Sequence, residues 1–436
     1  MYLRRLLLTI FTSICCLVAG QDVSSGLTPV QHKQLAASFE KVWLTVKDKH
    51  FDPGLGGLNW KKTRREFRPR IKRAKTMDEG RAIINEMLGH LKQSHLKVIP
   101  GSVFSQDNDY TPGLDLRVLD GRAIVTKVEP GSPASAAGIM QGWEITEVSG
   151  RAVEPIIKKI ESDHPIDTQK GDLKHSRIMS LIEGSPDTTV DIKFRDAAGN
   201  LISRKLDRAA PRGAKIRDGK IPPFPFWIDA NELENGIRVV KFDYWIDQNS
   251  IRDEFIKLVR QKDSINGIIV DLRGNHGGYG AIALVAAGAF FDMNVPQNLA
   301  TEYFRKRRQR RYTTRWSSYI TAPLAILVDD CSASTSEVFA AGMRDLKRAR
   351  IFGSLTAGNC LGSDFMLLPN GDRFQYPVSA VFSPGGVRLE GSGVQPDQEI
   401  KLTQADLLEG KDPVLEQAVS WLLSYIAVPL NIRDNR

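Results

Sequence analysis

The sequence predicts an α/β protein of several domains, on the basis of its length and two changes of pattern. The chain has 436 residues, too many for one ordinary hydrophobic core, so two or three domains are expected. Residues 21–108 have the apolar spacing of helices, and residues 109–207 have short alternating strands interrupted by glycine and proline. Residues 208–436 alternate strands with helices, which predicts largely parallel strand pairing.

The first twenty residues have the pattern of a secretory signal. Arg4 and Arg5 precede an apolar run that ends in small residues, and cleavage is expected near Gly20–Gln21. An uncleaved anchor is the alternative, although the run is short for a membrane span. No later segment reads as long and apolar enough to cross a bilayer. We therefore expect a secreted or periplasmic protein with no stable membrane span after cleavage.

Two segments of the N-terminal region have helical spacing. They are "VQHKQLAASFEKVWLTVKDKHF" (30–51) and "DEGRAIINEMLGHLKQSH" (78–95), and Asp78 is placed to start the second. The sequence "DPGLGG" between them predicts a turn. This region by itself predicts a small helical bundle.

Charge and motif content restrict the partners. The chain has a formal net charge of +9, to which basic clusters at 61–75 and 305–315 contribute. Solvated surfaces, or attraction to acidic peptides or anionic lipid, account for such clusters. Nucleic acid is not an expected partner of an exported protein. The sequence has no zinc-type Cys/His spacing, phosphate loop or GxGxxG, so we expect no metal and no cofactor.

The middle region resembles a PDZ domain. The resemblance rests on "PGLDL" (112–116), on "VEPGSPASAAGIMQGWEITEVSG" (128–150) and on a helical pattern that follows. In a PDZ domain a peptide adds as a strand to the sheet edge, and a loop binds its free C-terminus. The resemblance assigns this loop to Gly113, Leu114, Asp115 and Leu116. The alternative is a domain that only packs and binds no peptide.

The stretch "ILVDDCSASTSEVFAAGMRD" (326–345) places hydroxyl residues where an apolar β-branched run ends and a helical pattern begins. Ser334-x-x-Glu337 fits a capping box. A serine at a helix N-terminus also lies beside unpaired N–H groups that favour an oxyanion, so a nucleophile fits the same position. The local pattern allows both roles for the cluster, which consists of Ser332, Ser334, Thr335 and Ser336.

Two ordered motifs resemble the tail-specific, or C-terminal processing, serine peptidase family. They are "VDLRGNHGG" (270–278) and "DDCSASTSEVFAAGMRD" (329–345), and "GSLTAGNC", "LPNGDRF" and "LEGSGVQPD" extend the match. The resemblance covers nearly the whole chain after the signal and implies a ClpP–crotonase-like core of ββα units. It assigns Ser334 as the nucleophile and the N–H groups of Gly278 and Thr335 as the oxyanion hole.

The better-known branch of that family uses a lysine in a "TxGKG" motif as general base. The residue expected to be the base in this chain is different. The matching stretch here is "TAGNC" (356–360), and Asn359 in the lysine position cannot accept a proton as a base. The chain is similar instead to the tricorn-like branch at "MLGHLKQSHLKVIP" (87–100) and "LEGSGVQPD". That similarity implies His95 as general base, with Ser94 and Glu390 orienting or polarising the site.

Each member of the base system has a structural alternative. A helix-capping role is the alternative for His95, a helix-end position for Ser94, and a loop carboxylate beside Arg388 for Glu390. His276 is the rival base, and it lies inside "GNHGG" (274–278), which we call the glycine loop.

The resemblance implies an exported serine endopeptidase that cleaves peptides or proteins through an acyl-enzyme. Polypeptide substrates are the expected partners, bound in part through their free C-termini. The alternative is a catalytically inactive protein that binds peptides or lipophilic ligands on the same fold.

Cys331 and Cys360 remain after the signal, and we predict a disulfide between them. An oxidising compartment favours the bond. Each cysteine follows one of two strands joined by one helix, and a right-handed crossover makes such strands parallel neighbours. Neighbouring strands lie ~5 Å apart, within the Cα separation that a disulfide tolerates. Two free thiols are the alternative.

Overall fold

The computed structural model describes residues 26–105, 107–217, 222–233, 236–292 and 294–427. The predicted signal at 1–20 lies outside the described residues. Within the described ranges, no helix has both the length and the apolar character that crossing a bilayer requires. The chain is a mixed α/β protein, as predicted, with helices and several sheets.

The N-terminal region is helical. Thr28 caps the first helix, where its side chain accepts the N–H of Gln31. Thr76, and not the predicted Asp78, caps the third helix by accepting the N–H of Glu79. The elements are α1 (Pro29–Lys49), α2 (Trp60–Arg73), α3 (Met77–Gly89) and the short strand β1 (Lys97–Ile99).

The middle region forms one antiparallel sheet, which we call the middle sheet. Its elements are β2 (Leu114–Leu119), β3 (Arg122–Val128), α4 (Pro133–Ala136), β4 (Glu144–Val148), β5 (Arg151–Ala152), α5 (Glu154–Asp163), α6 (Lys170–Ile182), β6 (Thr189–Arg195) and β7 (Leu201–Asp207). The strand order β2-β3-β4-β6-β7 leaves β2 at an edge. Burial alternates along β6, so one face of the sheet packs against α5 and α6.

The rest of the chain forms a small strand pair and two larger sheets. The elements are β8 (Ala214–Ile216), β9 (Phe224–Phe226), β10 (Ile228–Leu233), β11 (Ile237–Phe242), α7 (Gln248–Arg260), β12 (Gly267–Asp271), α8 (Gly280–Gly288), β13 (Asn298–Phe304), β14 (Arg308–Tyr312), β15 (Leu324–Val328), α9 (Thr335–Asp345), β16 (Ala349–Gly353), β17 (Leu361–Leu367), β18 (Arg373–Phe382), β19 (Gln398–Glu399), α10 (Gln404–Leu408) and α11 (Pro413–Ala427).

The central sheet has the strand order β10-β11-β12-β15-β16-β19. Its pairs are parallel except for β10 with β11. Every side chain of β12 and β15 is buried, as expected for parallel strands that are covered on both faces. The carboxyl ends of these two strands meet at one edge, where the N–H of Ala333 donates to the Asn275 carbonyl oxygen at 3.0 Å. The glycine loop and the hydroxyl cluster therefore lie side by side.

The outer sheet has the order β1-β18-β13-β14, and β17 pairs with β18. Its strands β1 and β18 share a hydrophobic cluster with α1, α2 and α3. Among the largest buried side chains of this cluster are Phe39 and Phe374, from α1 and β18. This packing joins β1, and the segment that leads into it from α3, to the outer sheet.

The predicted disulfide is wrong. Strands β15 and β16 are parallel neighbours, as predicted, but Cys331 and Cys360 are both buried free thiols. The physical reason is that β16 ends at Gly353 and the chain then leaves the central sheet. Cys360 immediately precedes β17 of the outer sheet, where its Sγ lies 3.5 Å from the Ser334 carbonyl oxygen.

Candidate active site

Ser334 begins α9 just after the carboxyl end of β15. Its backbone has φ 57° and ψ −114°, a conformation that costs strain for a residue with a Cβ and that clusters at functional sites. The N–H of Ser334 donates to the Glu337 carboxylate at 2.8 Å, as in the predicted capping box. The side chain therefore stands at the positive end of the helix dipole, where developing negative charge is favoured.

The glycine loop after β12 brings backbone N–H groups close to Ser334. Gly278 has φ 143°, and a Cβ there would lie 2.3 Å from the Trp245 carbonyl oxygen, so the position requires glycine. The Thr335 hydroxyl donates to the Gly278 carbonyl oxygen at 2.8 Å and fixes the loop to α9. Within the part of the chain that the structure describes, the N–H groups of Gly278 and Thr335 have no hydrogen-bond acceptor. Both donors are available to an oxyanion.

Ser94, His95 and Glu390 form a continuous hydrogen-bonded chain. The Ser94 hydroxyl donates to one Glu390 oxygen at 2.7 Å, and the Ser94 N–H donates to the other at 2.7 Å. His95 Nδ1 lies 2.7 Å from the Ser94 hydroxyl oxygen. Because the Ser94 proton points to the carboxylate, this oxygen accepts a hydrogen bond from His95 Nδ1–H. That tautomer leaves His95 Nε2 unprotonated, as a general base requires.

His95 does not cap a helix. Helix α3 ends at Gly89 and its C-cap is His90, whereas His95 lies in the connection to β1 with a left-handed φ of 55°. Burial, followed by the charge of the Lys97 ammonium, lowers the pKa of His95 to about 4, although the Asp172 carboxylate opposes them. The imidazole is therefore neutral at pH 7.

Glu390 is enclosed by donors. Only 7% of its surface is exposed. Besides Ser94, the Cys360 N–H donates to it at 2.9 Å and the Gln169 side-chain amide donates at 3.3 Å. This environment differs from that of an exposed loop carboxylate beside Arg388.

A second buried carboxylate, that of Glu337, ties Ser334 to the loop that contains Asn359. Burial raises the pKa of Glu337 to about 8, and hydrogen bonds from the Thr356 hydroxyl and from backbone N–H groups oppose this rise. Its donors lie 2.6 to 3.1 Å away and are the N–H groups of Ser334, Gly358 and Asn359 and the hydroxyl of Thr356.

Asn359 and His276 share a carboxylate partner from α6 that no local sequence pattern indicates. Asn359 Nδ2 donates to Asp172 Oδ2 at 2.7 Å, and His276 Nδ1 lies 2.8 Å from Asp172 Oδ1. Burial acts to lower the pKa of His276, but the hydrogen bond to Asp172 and its charge outweigh burial and raise that pKa above its usual value.

One cavity of about 1090 Å³ joins these groups. Residues from the N-terminal region, from α6, from the segments that follow strands of the central sheet and from the outer sheet all contribute to its wall. Its apolar wall includes Ile246, Leu284 and Val338. The predicted site residues that line it are Ser94, His95, Gly278, Ser334 and Thr335, together with Asn359 and His276.

The predicted peptide-binding segment lies elsewhere, at the start of β2. None of its four residues, all of them described, lines the cavity. The side chains of Leu114 and Leu116 are buried in the core of the middle region. Asp115 Oδ1 accepts the Leu116 N–H at 2.8 Å and lies 2.7 Å from His175 Nε2, so Asp115 already has partners within the chain. Gly113 precedes β2 directly.

Two family descriptions match the chain. Residues 236–400 match peptidase family S41, and residues 31–89 match the tricorn protease C1 domain. The first range contains Ser334, Gly278 and Glu390, and the second ends shortly before Ser94 and His95. Both matches are to peptidase domains, so the chain is similar to peptidases over these two ranges.

The relatives agree with this class. The chain is 25% identical over 409 residues to a putative tricorn protease homolog 2 of Streptomyces coelicolor, which covers 89% of this chain and 32% of that protein. It is 24% identical to a carboxyl-terminal-processing protease of Picosynechococcus sp., over 83% of this chain and 82% of the relative. The chain thus spans about a third of the first relative and most of the second.

A solved structure shares the fold. The photosystem II D1 C-terminal processing protease superposes with a TM-score of 0.57 and 21% identity, over 86% of this chain and 94% of that one. The likeness at this identity concerns the fold. The resemblance to this family is thereby confirmed, whereas the role of each site residue stays a prediction.

Sequence patterns do not single out three residues that line the cavity or hold the loops beside it, namely Asp172, Lys97 and Glu337. Glu337 is visible in the sequence only as the last residue of a capping box. Lys97 lies two residues after His95, at the start of the short strand β1, and its charge acts on the imidazole. Asp172 carries no local signal, since it reaches the site only because the first turn of α6 packs against the loops that contain His276 and Asn359.

Proposed function

We propose that the chain is a serine endopeptidase that forms an acyl-enzyme on Ser334 with His95 as general base. The observation that supports this most directly is the Glu390–Ser94–His95 hydrogen-bonded chain, which ends in the cavity that Ser334 lines. The three segments involved are far apart in sequence, and a capping box alone would not require their convergence. The matches to peptidase family S41 and to the tricorn protease C1 domain agree with this proposal.

The chemistry follows from the donors and acceptors at the site. The Ser334 hydroxyl oxygen attacks the scissile carbonyl carbon while His95 Nε2 takes the hydroxyl proton. The carbonyl oxygen becomes an oxyanion that accepts the N–H groups of Gly278 and Thr335. His95 then gives its proton to the leaving amine, and the amide bond breaks. Water, deprotonated in turn by His95, hydrolyses the ester and restores the Ser334 hydroxyl.

Ser94 and Glu390 take the part of the third member of a triad. Ser94 Oγ accepts His95 Nδ1–H, and Glu390 accepts the Ser94 hydroxyl, so the imidazole is held in one orientation and one tautomer. When His95 becomes charged, the carboxylate stabilises it through the intervening hydroxyl. Asn359 at the lysine position donates to Asp172 and takes no proton in this scheme.

A fluorophosphonate probe tests the proposal. We expect the folded wild type to be labelled on Ser334 and to cleave an unstructured protein such as casein, and Ser334→Ala to lose both. Ser317→Ala, an exposed serine outside the cavity, serves as the matched control and keeps both properties. Folded wild-type protein that takes up no probe and cleaves no substrate would support the inactive binding protein instead.

We also propose, more finely, that the middle region is a PDZ-like domain that binds free C-termini of polypeptides at residues 113–116. The position of β2 at the edge of its sheet supports this, because a peptide strand can add there. Fluorescence anisotropy of labelled peptides on Ser334→Ala protein tests it. The acid form should bind more tightly than the C-terminal amide, and equal affinity of the two forms excludes this mode.

Export to a secreted or periplasmic location is likewise a proposal. It rests on Arg4, Arg5 and the apolar run that follows them. Fractionation of cells followed by N-terminal sequencing should find the protein outside the cytoplasm with a new terminus near Gln21. A full-length protein retained in the cytoplasm would exclude export.

A further inference from the structure

The first turn of α6, from the middle region, packs closely against loops within residues 236–400, the range that matches peptidase family S41. A Cβ on Gly171 would lie 2.1 Å from Asp330 Oδ2, so the close approach there requires glycine. One residue before α6, the Gln169 amide donates to the Gly358 carbonyl oxygen at 3.1 Å. The Thr168 hydroxyl donates to the Gly391 carbonyl oxygen at 3.1 Å. The loops on both sides of the base system therefore contact this one helix end.

Asp172 extends from this turn and connects two loops with its two carboxylate oxygens. Oδ1 lies 2.8 Å from His276 Nδ1, and Oδ2 accepts Asn359 Nδ2–H at 2.7 Å. The side chain is 18% exposed. Because the carboxylate only accepts, His276 Nδ1 carries the proton and donates it to Asp172. Each of the two loops thus supplies one donor to one carboxylate.

The two loops hold different parts of the proposed catalytic machinery. His276 directly precedes Gly277 and Gly278, so the bond to its ring restrains the backbone that carries the Gly278 N–H. The Asn359 N–H donates to Glu337 Oε2 at 3.1 Å, and that same oxygen accepts the Ser334 N–H at 2.8 Å. Through these bonds Asp172 is linked both to the oxyanion donor and to the backbone of the nucleophile.

We propose that Asp172 is a positioning residue that fixes the glycine loop relative to the Ser334 corner, so that the middle region completes the active site. This inference rests on the proposed peptidase function. Its physical reason is that the glycine pair has no side chains of its own to restrain the loop. A displacement of about 1 Å of a catalytic group can cost roughly 10²-fold in rate. Asp172 touches no reacting atom and acts only through the groups that it holds.

Asp172→Asn tests the proposal with almost no change of shape. The substituted amide offers one acceptor and one donor where the Asp172 carboxylate offers two acceptors, so its N–H₂ group faces the donor of either His276 or Asn359. We expect kcat for peptide cleavage, and the rate of fluorophosphonate labelling, to fall about 10- to 100-fold. KM should change little, because the apolar wall is unaltered. Asp167→Asn, on an exposed carboxylate just before α6, is the matched control and should behave as wild type.

A swap of the two partners distinguishes positioning from a general loss of structure. In Asp172→Asn/Asn359→Asp, the amide at position 172 donates to the carboxylate at position 359 while its oxygen still accepts His276 Nδ1–H. The double variant should recover most of kcat, whereas Asn359→Asp alone brings two carboxylates together and should be as impaired as Asp172→Asn. Should Asp172→Asn fail to fold, the rates of Asn359→Asp and of the swap variant still decide the question.

The outcomes separate this inference from the proposed function. If wild type neither labels nor cleaves, the peptidase function fails. If wild type is active and Asp172→Asn has wild-type kcat, or if the swap recovers nothing although it is folded by circular dichroism, the positioning role of Asp172 is wrong and the peptidase function stands.

Discussion

Two histidines, His95 and His276, line the same cavity, yet their surroundings shift their pKa values in opposite directions. His276 contacts a carboxylate directly, since its Nδ1 lies 2.8 Å from Asp172 Oδ1, and its pKa is raised. His95 reaches its carboxylate only through the Ser94 hydroxyl, and burial lowers its pKa to about 4. Both rings are buried, and the direct hydrogen bond to a carboxylate, which His276 has and His95 lacks, accounts for the opposite directions of the two pKa shifts.

This difference favours separate roles for the two rings. A base must be neutral before it accepts the Ser334 proton, and His95 is neutral over a wide range of pH. The Asp172 contact holds His276 as a donor, which suits the restraint of a loop. Lys97 strengthens the contrast, because its ammonium group adds to the effect of burial on His95.

The largest expected difference between the two histidines is in the loss of kcat/KM when each ring is removed in turn. We expect His95→Ala to lower kcat/KM about 10²- to 10⁴-fold, because a general base contributes about that much. His276→Ala should lose only about tenfold, since it removes one of the two loop contacts of Asp172 and leaves the contact with Asn359. Steady-state cleavage of one peptide by both variants, with thermal unfolding as the check on folding, makes the measurement. A larger loss for His276→Ala than for His95→Ala would make His276 the general base and His95 the restraining residue.

Removing the intervening hydroxyl gives a smaller effect. Ser94→Ala leaves His95 Nδ1–H without its acceptor and isolates the ring from Glu390. We expect kcat to fall about 10- to 100-fold, since the tautomer and orientation of the ring are no longer held. Ser102→Ala, an exposed serine nearby in sequence, is the control. Wild-type kcat in Ser94→Ala would show that the hydrogen-bonded chain has no catalytic role.

The pH dependence measures the shift of His95 directly. His95 acts as a base when neutral, so kcat/KM should be lost only as the pH falls toward about 4 and not near the ordinary value of about 6.5. Lys97→Met removes a charge that lowers this pKa, and the acid limb should therefore move to higher pH. Lys158→Met, on the exposed side of α5, should leave the limb in place. A wild-type limb near pH 6.5 contradicts the neutral, buried state of His95.

The smallest expected effect concerns the thiols next to Glu390 and Ser334. Because Cys331 and Cys360 are free and buried, protein that lacks residues 1–20, and with them Cys15 and Cys16, should take up two alkyl labels per chain when it is unfolded without reductant. Folded protein should take up almost none, since burial raises the pKa of both thiols and lowers their reactivity. Mass spectrometry counts the labels. If the unfolded protein shows no added label in its mass, the two cysteines are joined and the predicted disulfide is correct after all.

Much of this fold follows from local pattern. A continuous apolar run predicts β15, and helical spacing predicts α1, α3 and α9. The disulfide prediction failed because it depended on the residue at which β16 ends. Strand ends are set by the neighbours that pair with them, and here the chain turns to the outer sheet after Gly353.

Short contiguous motifs were enough to indicate the resemblance to a peptidase family and the candidate nucleophile. The corner motif contains Ser334, the glycine loop contains Gly278, and Asn359 excludes a lysine base at its own position, each within a few residues of contiguous sequence. Which further groups line the site depends on how distant segments of the chain pack together. Asp172 and Lys97 have no motif, and their roles depend on the contacts of the first turn of α6 with two loops and on the pairing of β1 with β18. A hydrogen bond or a pKa shift requires atoms within a few ångströms, and for distant segments folding alone provides that proximity.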